Sequence, residues 1–203
     1  MHSSSTLRRE TAKTKLLNAA LSVLRTKGYS ATTVDELCAA AGVTKGAFFH
    51  HFVSKEALAV AAVNYWSEVT GALFAAAPYH AHKDPLDRVL AYIDFRAQLL
   101  SGEVAEFTCL AGTMVQETYD CSPAIRAACE ASISGHAATL EADLAAAIEA
   151  YGLRDVSAAS LALHTQAVLQ GAFILAKAKG GPQIAGESVG HLRNYFSLLF
   201  KST

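Results

Sequence analysis

Five rings crowd one short stretch of the chain: Phe48, Phe49, His50, His51 and Phe52 lie between Lys45 and Lys55. A short helix cannot bury all five on one face, so some must point outward. Outward rings beside lysines suit a surface lined with phosphates, where imidazole and ammonium groups act as donors. The competing arrangement packs every ring into a small core, and for Phe52 the core is the expectation. The second chemical candidate is Cys109, in the run Thr108-Cys109-Leu110-Ala111-Gly112. A thiol at a helix N-terminus or beside a lysine gains thiolate character and reactivity, whereas a free cysteine without such neighbours is a small buried hydrophobe. His80 and His82 sit two apart without a third ligand, which marks a solvated loop.

These groups need elements to hold them, and the elements are helical. Hydrophobic residues make up 52% of the 203, prolines number four, and β-branched residues never gather in alternating runs. Ala12, Leu16, Ala19, Ala20, Val23 and Leu24 mark one face of a first helix from about Arg9 to Lys27, closed by Gly28. Thr33 and Glu36 form a capping box ahead of a short second helix that Gly42 stops. Thr44 caps a third over Lys45 to about His51, and Ser54 caps a fourth. The stretch from Ala75 to Asp84 connects this unit to the rest. Asp84-Pro85 then opens a helix to about Leu100, Ser122-Pro123 a long one to Tyr151, and Ser157 one to Lys179. A last helix covers Glu187 to Phe200.

Charge is unevenly spread. Residues 1–60 carry eight Lys/Arg against four Asp/Glu, and residues 61–203 carry nine against fourteen. A basic head on an acidic body points to a polyanion at the head, the alternative being drift over a short window. No apolar run reaches the ~18 residues of a membrane span, and the first ten residues lack a hydrophobic signal core. The expected location is the cytoplasm, with no membrane partner. Cys38, Cys109, Cys121 and Cys129 form no paired motif, so neither a zinc ribbon nor a disulfide framework is indicated. No metal and no cofactor are expected.

The segment Thr33 to Phe52 is organised as a major-groove reader: a capped helix, a turn on Gly42, and a second helix presenting Thr44, Lys45 and Gly46 in its first turn. The run Gly42-Val43-Thr44-Lys45-Gly46-Ala47-Phe48-Phe49-His50-His51-Phe52-Val53-Ser54-Lys55-Glu56-Ala57-Leu58 resembles the signature of the TetR family, as do Gly28-Tyr29 and Thr32 to Leu37. The resemblance implies an all-α fold, a homodimer and a palindromic or near-palindromic operator. It implies a three-helix helix-turn-helix domain over residues 9–55 and a larger ligand-binding and dimerisation domain over 56–203. Under it Thr33 and Lys55 hold phosphates, Thr44, Lys45, Gly46, Phe48 and His50 face the groove, and His51 adds a backbone contact. Phe49 stands where the family usually has Tyr, so the phenol-to-phosphate hydrogen bond is missing, a loss of about 0.5–1.5 kcal/mol.

Each subunit offers one small reading helix, and two must sit about 34–36 Å apart to meet successive major grooves. A ligand that favours the wrong separation releases the operator. The two helices from Ser157 to Lys179 and from Glu187 to Phe200 carry too many large apolar groups for a simple exposed face. In TetR-like proteins the corresponding helices form a four-helix dimer interface; the alternative is burial within one subunit. Trp66, Phe107, His136 and His164, with Tyr92, Phe95, Met114 and Tyr119, are candidates for a ligand pocket or for plain core. The run at Cys109 and the later Asp120-Cys121-Ser122-Pro123 resemble a TetR branch in which a cysteine begins the sixth helix, and some members of that branch sense electrophiles or oxidants through it. In that branch a lysine late in the eighth helix takes part, and Lys177 stands there. Cys121 and Cys129 are candidate resolving thiols. The expected function is a ligand- or electrophile-responsive repressor acting with a small-molecule inducer. The rivals are a TetR-type activator and an all-α enzyme, the latter without a recognisable catalytic motif.

Overall fold

The computed structural model describes residues 10–201, which form eleven α-helices and one short 3-10 turn, with no strand among them. Helix α1 (Ala12–Lys27) starts from an N-cap at Thr11, whose hydroxyl accepts the Thr14 amide. It begins later than the sequence pattern suggests, and Arg9 falls outside the described residues. Helix α2 (Val34–Ala41) opens with the Thr33/Glu36 capping box and ends at Gly42, left-handed at φ 62 and ψ 39. That conformation turns the chain so sharply that the Val43 amide returns to the Cys38 carbonyl. Helix α3 (Lys45–His51) is capped by Thr44 and α4 (Lys55–Ala75) by Ser54.

The body follows a 3-10 turn at Pro78–Ala81. Its helices are α5 (Pro85–Gln98), α6 (Val104–Phe107), α7 (Leu110–Thr118), α8 (Pro123–Ala138), α9 (Glu141–Tyr151), α10 (Ala158–Lys179) and α11 (Gln183–Leu199). The single helix expected from Ser122-Pro123 to Tyr151 is two helices. At the break the Thr139 and Leu140 amides bond three residues back, and the Thr139 hydroxyl takes the His136 carbonyl. This tightened turn redirects the chain so that Leu140 and Leu144 both reach the core. The last helix starts at Gln183 rather than Glu187, because Pro182 serves as its N-cap.

Two apolar cores result. Leu16, Ala20 and Leu24 of α1 pack with Leu37, Phe48, Leu58 and Val63, and this core continues into Leu110 and Met114 of α7 and Ile125 of α8. The second gathers Phe74, Tyr92, Ile93, Leu144, Leu169, Phe173 and Phe196. Helices α4 and α8 contribute to both, α4 through Leu58 to Val63 at one end and Phe74 at the other. Twenty-one residues of α4 extend about 31 Å, so this helix ties the reading head rigidly to the body.

Helix α10 corrects one sequence expectation. With 22 residues and a mean hydropathy of 1.3 it is long and apolar enough to cross a membrane, because an averaged window tolerates the polar side chains that interrupt an apolar run. It packs instead on α8, α9 and α11, burying Leu161, Leu169, Phe173 and Ala176 along one side. Its other side leaves Leu163, Ile174 and Leu175 exposed, next to exposed Tyr195 of α11.

Candidate nucleic-acid interface and sensing cavity

Helix α3 lies on the outside of the head. Thr33, Thr44, Lys45, Gly46, Phe49, His50 and His51 are all exposed, so seven of the nine predicted DNA-contacting residues are accessible from solvent. Phe48 is the correction: expected to face the groove, its ring is fully buried among α1, α2 and α4. Its neighbour Phe49 is 56% exposed, and the two rings meet edge to face with centroids 5.1 Å apart. A seven-residue helix makes only two turns, and Phe48 and Phe52 share the inward side. Lys45 pairs with Asp35 of α2 at 2.7 Å, and this hydrogen bond and its charge raise the lysine pKa.

Lys55 also departs from its expected role. Its ammonium donates to the Tyr29 and Thr32 carbonyls, both at 2.9 Å, and lies 4.2 Å above the Tyr29 ring. It is therefore the clip that closes the α1–α2 connection, with one N–H remaining for other partners. The same connection is gripped from the body. The Glu117 carboxylate, at the end of α7, accepts the Tyr29 amide at 3.2 Å and the Ser30 amide at 2.8 Å. Gly28 makes room for it with a φ of 82 that side chains rarely adopt. A third bond joins head to body where the Arg25 guanidinium donates to the Glu106 carbonyl at 2.9 Å, stacked 4.8 Å over Trp66.

Between the two cores lies a cavity of about 310 Å³. Trp66 and Phe74 of α4, Arg96 of α5, Phe107 of α6, Cys109, His136 of α8 and Gln166 of α10 all reach it. Four of the six predicted sensing residues, Trp66, Phe107, Cys109 and His136, are thus brought together. Lys177 stands beside them rather than among them. Its ammonium donates to the Thr113 hydroxyl at 2.6 Å and is electrostatically close to Cys109, while partial burial lowers its pKa. His164 is a correction: it is exposed on the outer side of α10, with its ring 5.1 Å from Tyr195. One residue is about 100° of rotation in a helix, which carries position 164 away from the inward row of Leu161, Thr165 and Leu169. Met114 is buried in the head core and Tyr119 is 59% exposed, so neither lines the cavity. Arg96, Gln166 and Gln170 were not foreseen, because residues so far apart in sequence give no local sign that they share a cavity.

Cys109 is the N-cap of α7, its sulfur 3.4 Å from the Gly112 amide. Cys121 lies twelve residues further on, past the far end of this helix. The Cys121 sulfur lies 3.7 Å from the Glu117 carbonyl, at the far end of a nine-residue helix about 13 Å long, so the two thiols are beyond disulfide reach. Cys129 is fully buried and electrostatically close to Cys109, and burial pushes its thiol up to about 12. One catalytic spacing does occur, at Gly186-Glu187-Ser188-Val189-Gly190, against the absence expected from the sequence. It lies inside α11 rather than on a strand-to-helix turn, and the Ser188 hydroxyl donates to the Ile184 carbonyl at 2.9 Å.

His136 is pushed down to about 4, first by burial and then by the nearby Arg96 charge. Its Nε2 is 3.0 Å from the Tyr92 hydroxyl, a pairing that suits a neutral imidazole accepting from a phenol. Since an unfolded histidine titrates near ~6.5, this stabilisation is complete above that pH and is lost as pH falls toward about 4. Between pH 7 and 4.5 the chain is expected to lose about 2 kcal/mol more than His136→Gln. Urea melts of both proteins at the two pH values measure this, and equal losses would rule out His136 as the source.

Two family models match this chain. "Bacterial regulatory proteins, tetR family" covers residues 16–62, and "Transcriptional regulator LmrA/YxaF-like, C-terminal domain" covers 85–184. The chain belongs to the TetR family of transcriptional regulators. A TetR transcriptional regulator from Chloroflexus aurantiacus is 27% identical, with a TM-score of 0.78 over 92% of this chain and 94% of that one. Escherichia coli NemR in its reduced form shares the fold, with a TM-score of 0.77, 24% identity, and coverage of 90% and 95%. AcuR of Cereibacter sphaeroides is 30% identical over 106 residues, 52% of this chain and 48% of its own length. YerO of Bacillus subtilis is 39% identical over 54 residues, 27% of this chain. These matches span only 48% and 19% of the two curated relatives. This TetR-family protein is therefore a DNA-binding transcriptional regulator with a helix-turn-helix, and its family and fold are those of regulators rather than of enzymes.

Proposed function

We propose that this regulator is a cytoplasmic, homodimeric repressor that holds a palindromic operator and releases it when a small molecule or an electrophile reaches the cavity at Cys109. In this reading residues 9–55 bind DNA and residues 56–203 sense and dimerise. Residues 1–9, 202 and 203 lie outside the described structure. The observation that carries the proposal is α7. It begins with Cys109 at the cavity and ends with Glu117 holding the Tyr29 and Ser30 amides of the head. A change at the thiol that tilts this nine-residue helix moves the head directly, and with it the separation of two reading helices. Dimerisation is supported by the exposed Leu163, Ile174, Leu175 and Tyr195 on α10 and α11, an apolar surface of the kind that marks interfaces.

The test is a gel shift on DNA flanking the protein's own gene, with and without a thiol-reactive electrophile, for the native chain and Cys109→Ser. Release confined to the native chain is expected. Unchanged binding after full thiol modification removes the electrophile arm, and lack of specific binding at moderate salt removes the repressor. Sedimentation measures the dimer. Phe49, exposed beside His50, is expected to gain a phosphate contact when replaced by tyrosine. Phe49→Tyr then tightens operator binding by about 0.5–1.5 kcal/mol per subunit, measured by fluorescence anisotropy, and an unchanged Kd would place position 49 off the DNA.

A further inference from the structure

Arg96 stands apart from the other arginines around it. On the same helix Arg88 pairs with Asp143 at 2.6 Å, and Arg193 of α11 pairs with Asp94 at 2.7 Å. Among the described residues Arg96 enters no ion pair and donates no hydrogen bond. Its guanidinium is instead held between two rings of the cavity wall, 5.2 Å from the centre of Phe74 and 5.7 Å from that of Phe173. Such stacking fixes the plane of the guanidinium and leaves its N–H edges open. Gln166, only 5% exposed, also lines the cavity, and its amide nitrogen has no acceptor. The Tyr92 oxygen lies near this amide and 3.0 Å from His136, but no acceptor comes within hydrogen-bond distance of the amide nitrogen. Buried donors are almost always satisfied, so the Gln166 amide awaits an acceptor, and the partly exposed Arg96 guanidinium lining the same cavity has no protein acceptor among the described residues.

The remaining charges at this cavity are accounted for. The Glu106 carboxylate accepts its own helix-capping amide from Glu103 at 2.8 Å and lies within the field of Arg25. His136 is neutral at physiological pH and engaged with Tyr92. The cavity thus presents one uncompensated positive charge and one orphan amide donor, facing walls of Trp66, Leu100 and Phe107.

We infer that the cavity binds an apolar monocarboxylate, its carboxylate seated on the Arg96 guanidinium and the Gln166 amide and its hydrocarbon part against Trp66 and Phe107. A carboxylate offers the two coplanar acceptors that a fixed guanidinium fork matches. The remaining volume admits about ten to fifteen non-hydrogen atoms at ordinary packing. This inference rests on the reading of the chain as an inducible regulator and gives the inducer its chemical class. Binding is reversible and needs no reaction at Cys109.

Saturated probes separate this from thiol chemistry, since they cannot alkylate a cysteine. Calorimetry of the full chain with octanoate and 3-phenylpropanoate, against octanamide and 3-phenylpropanamide, is expected to show the acids binding at least about tenfold more tightly. Arg96→Met keeps the apolar stem and is expected to erase that preference, bringing the acids to the affinity of the amides. Gln166→Leu, which fills the same space, is expected to weaken the acids by a smaller factor, so the proposal survives a misfolded Arg96 variant. Acids and amides binding equally, a preference that persists in folded Arg96→Met, or no binding of either acid each overturns the inference. Gel shifts on the same samples keep the two ideas apart. Operator release by an electrophile without acid binding leaves the regulator standing and removes the carboxylate site. Acid binding with no release by any compound does the reverse.

Discussion

Lys45→Ala is expected to lower operator affinity by about 2–6 kcal/mol for the proposed dimer, from about 1–3 kcal/mol for the interaction each reading helix gives up. The residue stands exposed in the first turn of α3, the part of a recognition helix that meets base edges. Its only partner in the free protein, among the described residues, is Asp35, and both side chains are well exposed, at 60% and 68%. An exposed pair of this kind contributes little, so the lysine leaves it for DNA at little cost, and the fold barely notices its removal. Anisotropy titrations over a salt series check both the size and the nature of the interaction. A phosphate contact lowers the slope of log K against log salt by about 0.9 per subunit, whereas a base contact leaves the slope and relaxes sequence preference. Asp35→Asn is expected to act in the opposite direction, since it removes a negative charge from the DNA face and frees Lys45. A folded Lys45→Ala protein with native affinity would take this residue off the interface.

Gly28→Ala is expected to destabilise the chain by about 3 kcal/mol or more, the largest effect on stability from removing no side chain at all. The backbone at Gly28, φ 82 and ψ 171, lies in a region essentially restricted to glycine and is strained by about 1–3 kcal/mol for other residues. A Cβ there would collide with a Glu117 carboxylate oxygen. The carboxylate has to withdraw, and the Tyr29 and Ser30 amides are deprived of a charged acceptor worth about 1.5–3 kcal/mol for each bond. Glu117→Gln keeps glycine and one acceptor oxygen, so it is expected to cost less than half as much. Urea unfolding of both variants measures the difference. If Gly28→Ala matches the native stability, the grip of α7 on the head is not what holds the two parts together. Because the same grip joins cavity to head, both variants are also expected to blunt operator release by an inducer.

Much of this molecule is written in local chemistry. Thr33 with Glu36, Thr44, Ser54 and Ser157 mark helix starts that the structure places at those residues, because a cap satisfies amides two or three positions away and needs nothing distant. Gly42, Gly152 and Gly180 end helices in the left-handed conformation for the same reason. The run through the reading helix carried the family, and the fold class followed from composition and periodicity. Decisions that depend on distant partners were invisible. Phe48 and Phe49 are adjacent phenylalanines, and only the rotation of α3 against α1 and α4 sends one ring to the core and leaves the other in solvent. Lys55 turns inward because the Tyr29 and Thr32 carbonyls, more than twenty residues earlier, happen to converge on it. The cavity draws its lining from α4, α5, α6, α8 and α10. Arg96 becomes notable only by subtraction, once every carboxylate near it is seen to be elsewhere. The outward rings among the five from Phe48 to Phe52 are therefore Phe49, His50 and His51: the sequence required some ring to face out, and tertiary packing chose which, since burial belongs to a pair of surfaces and not to a residue.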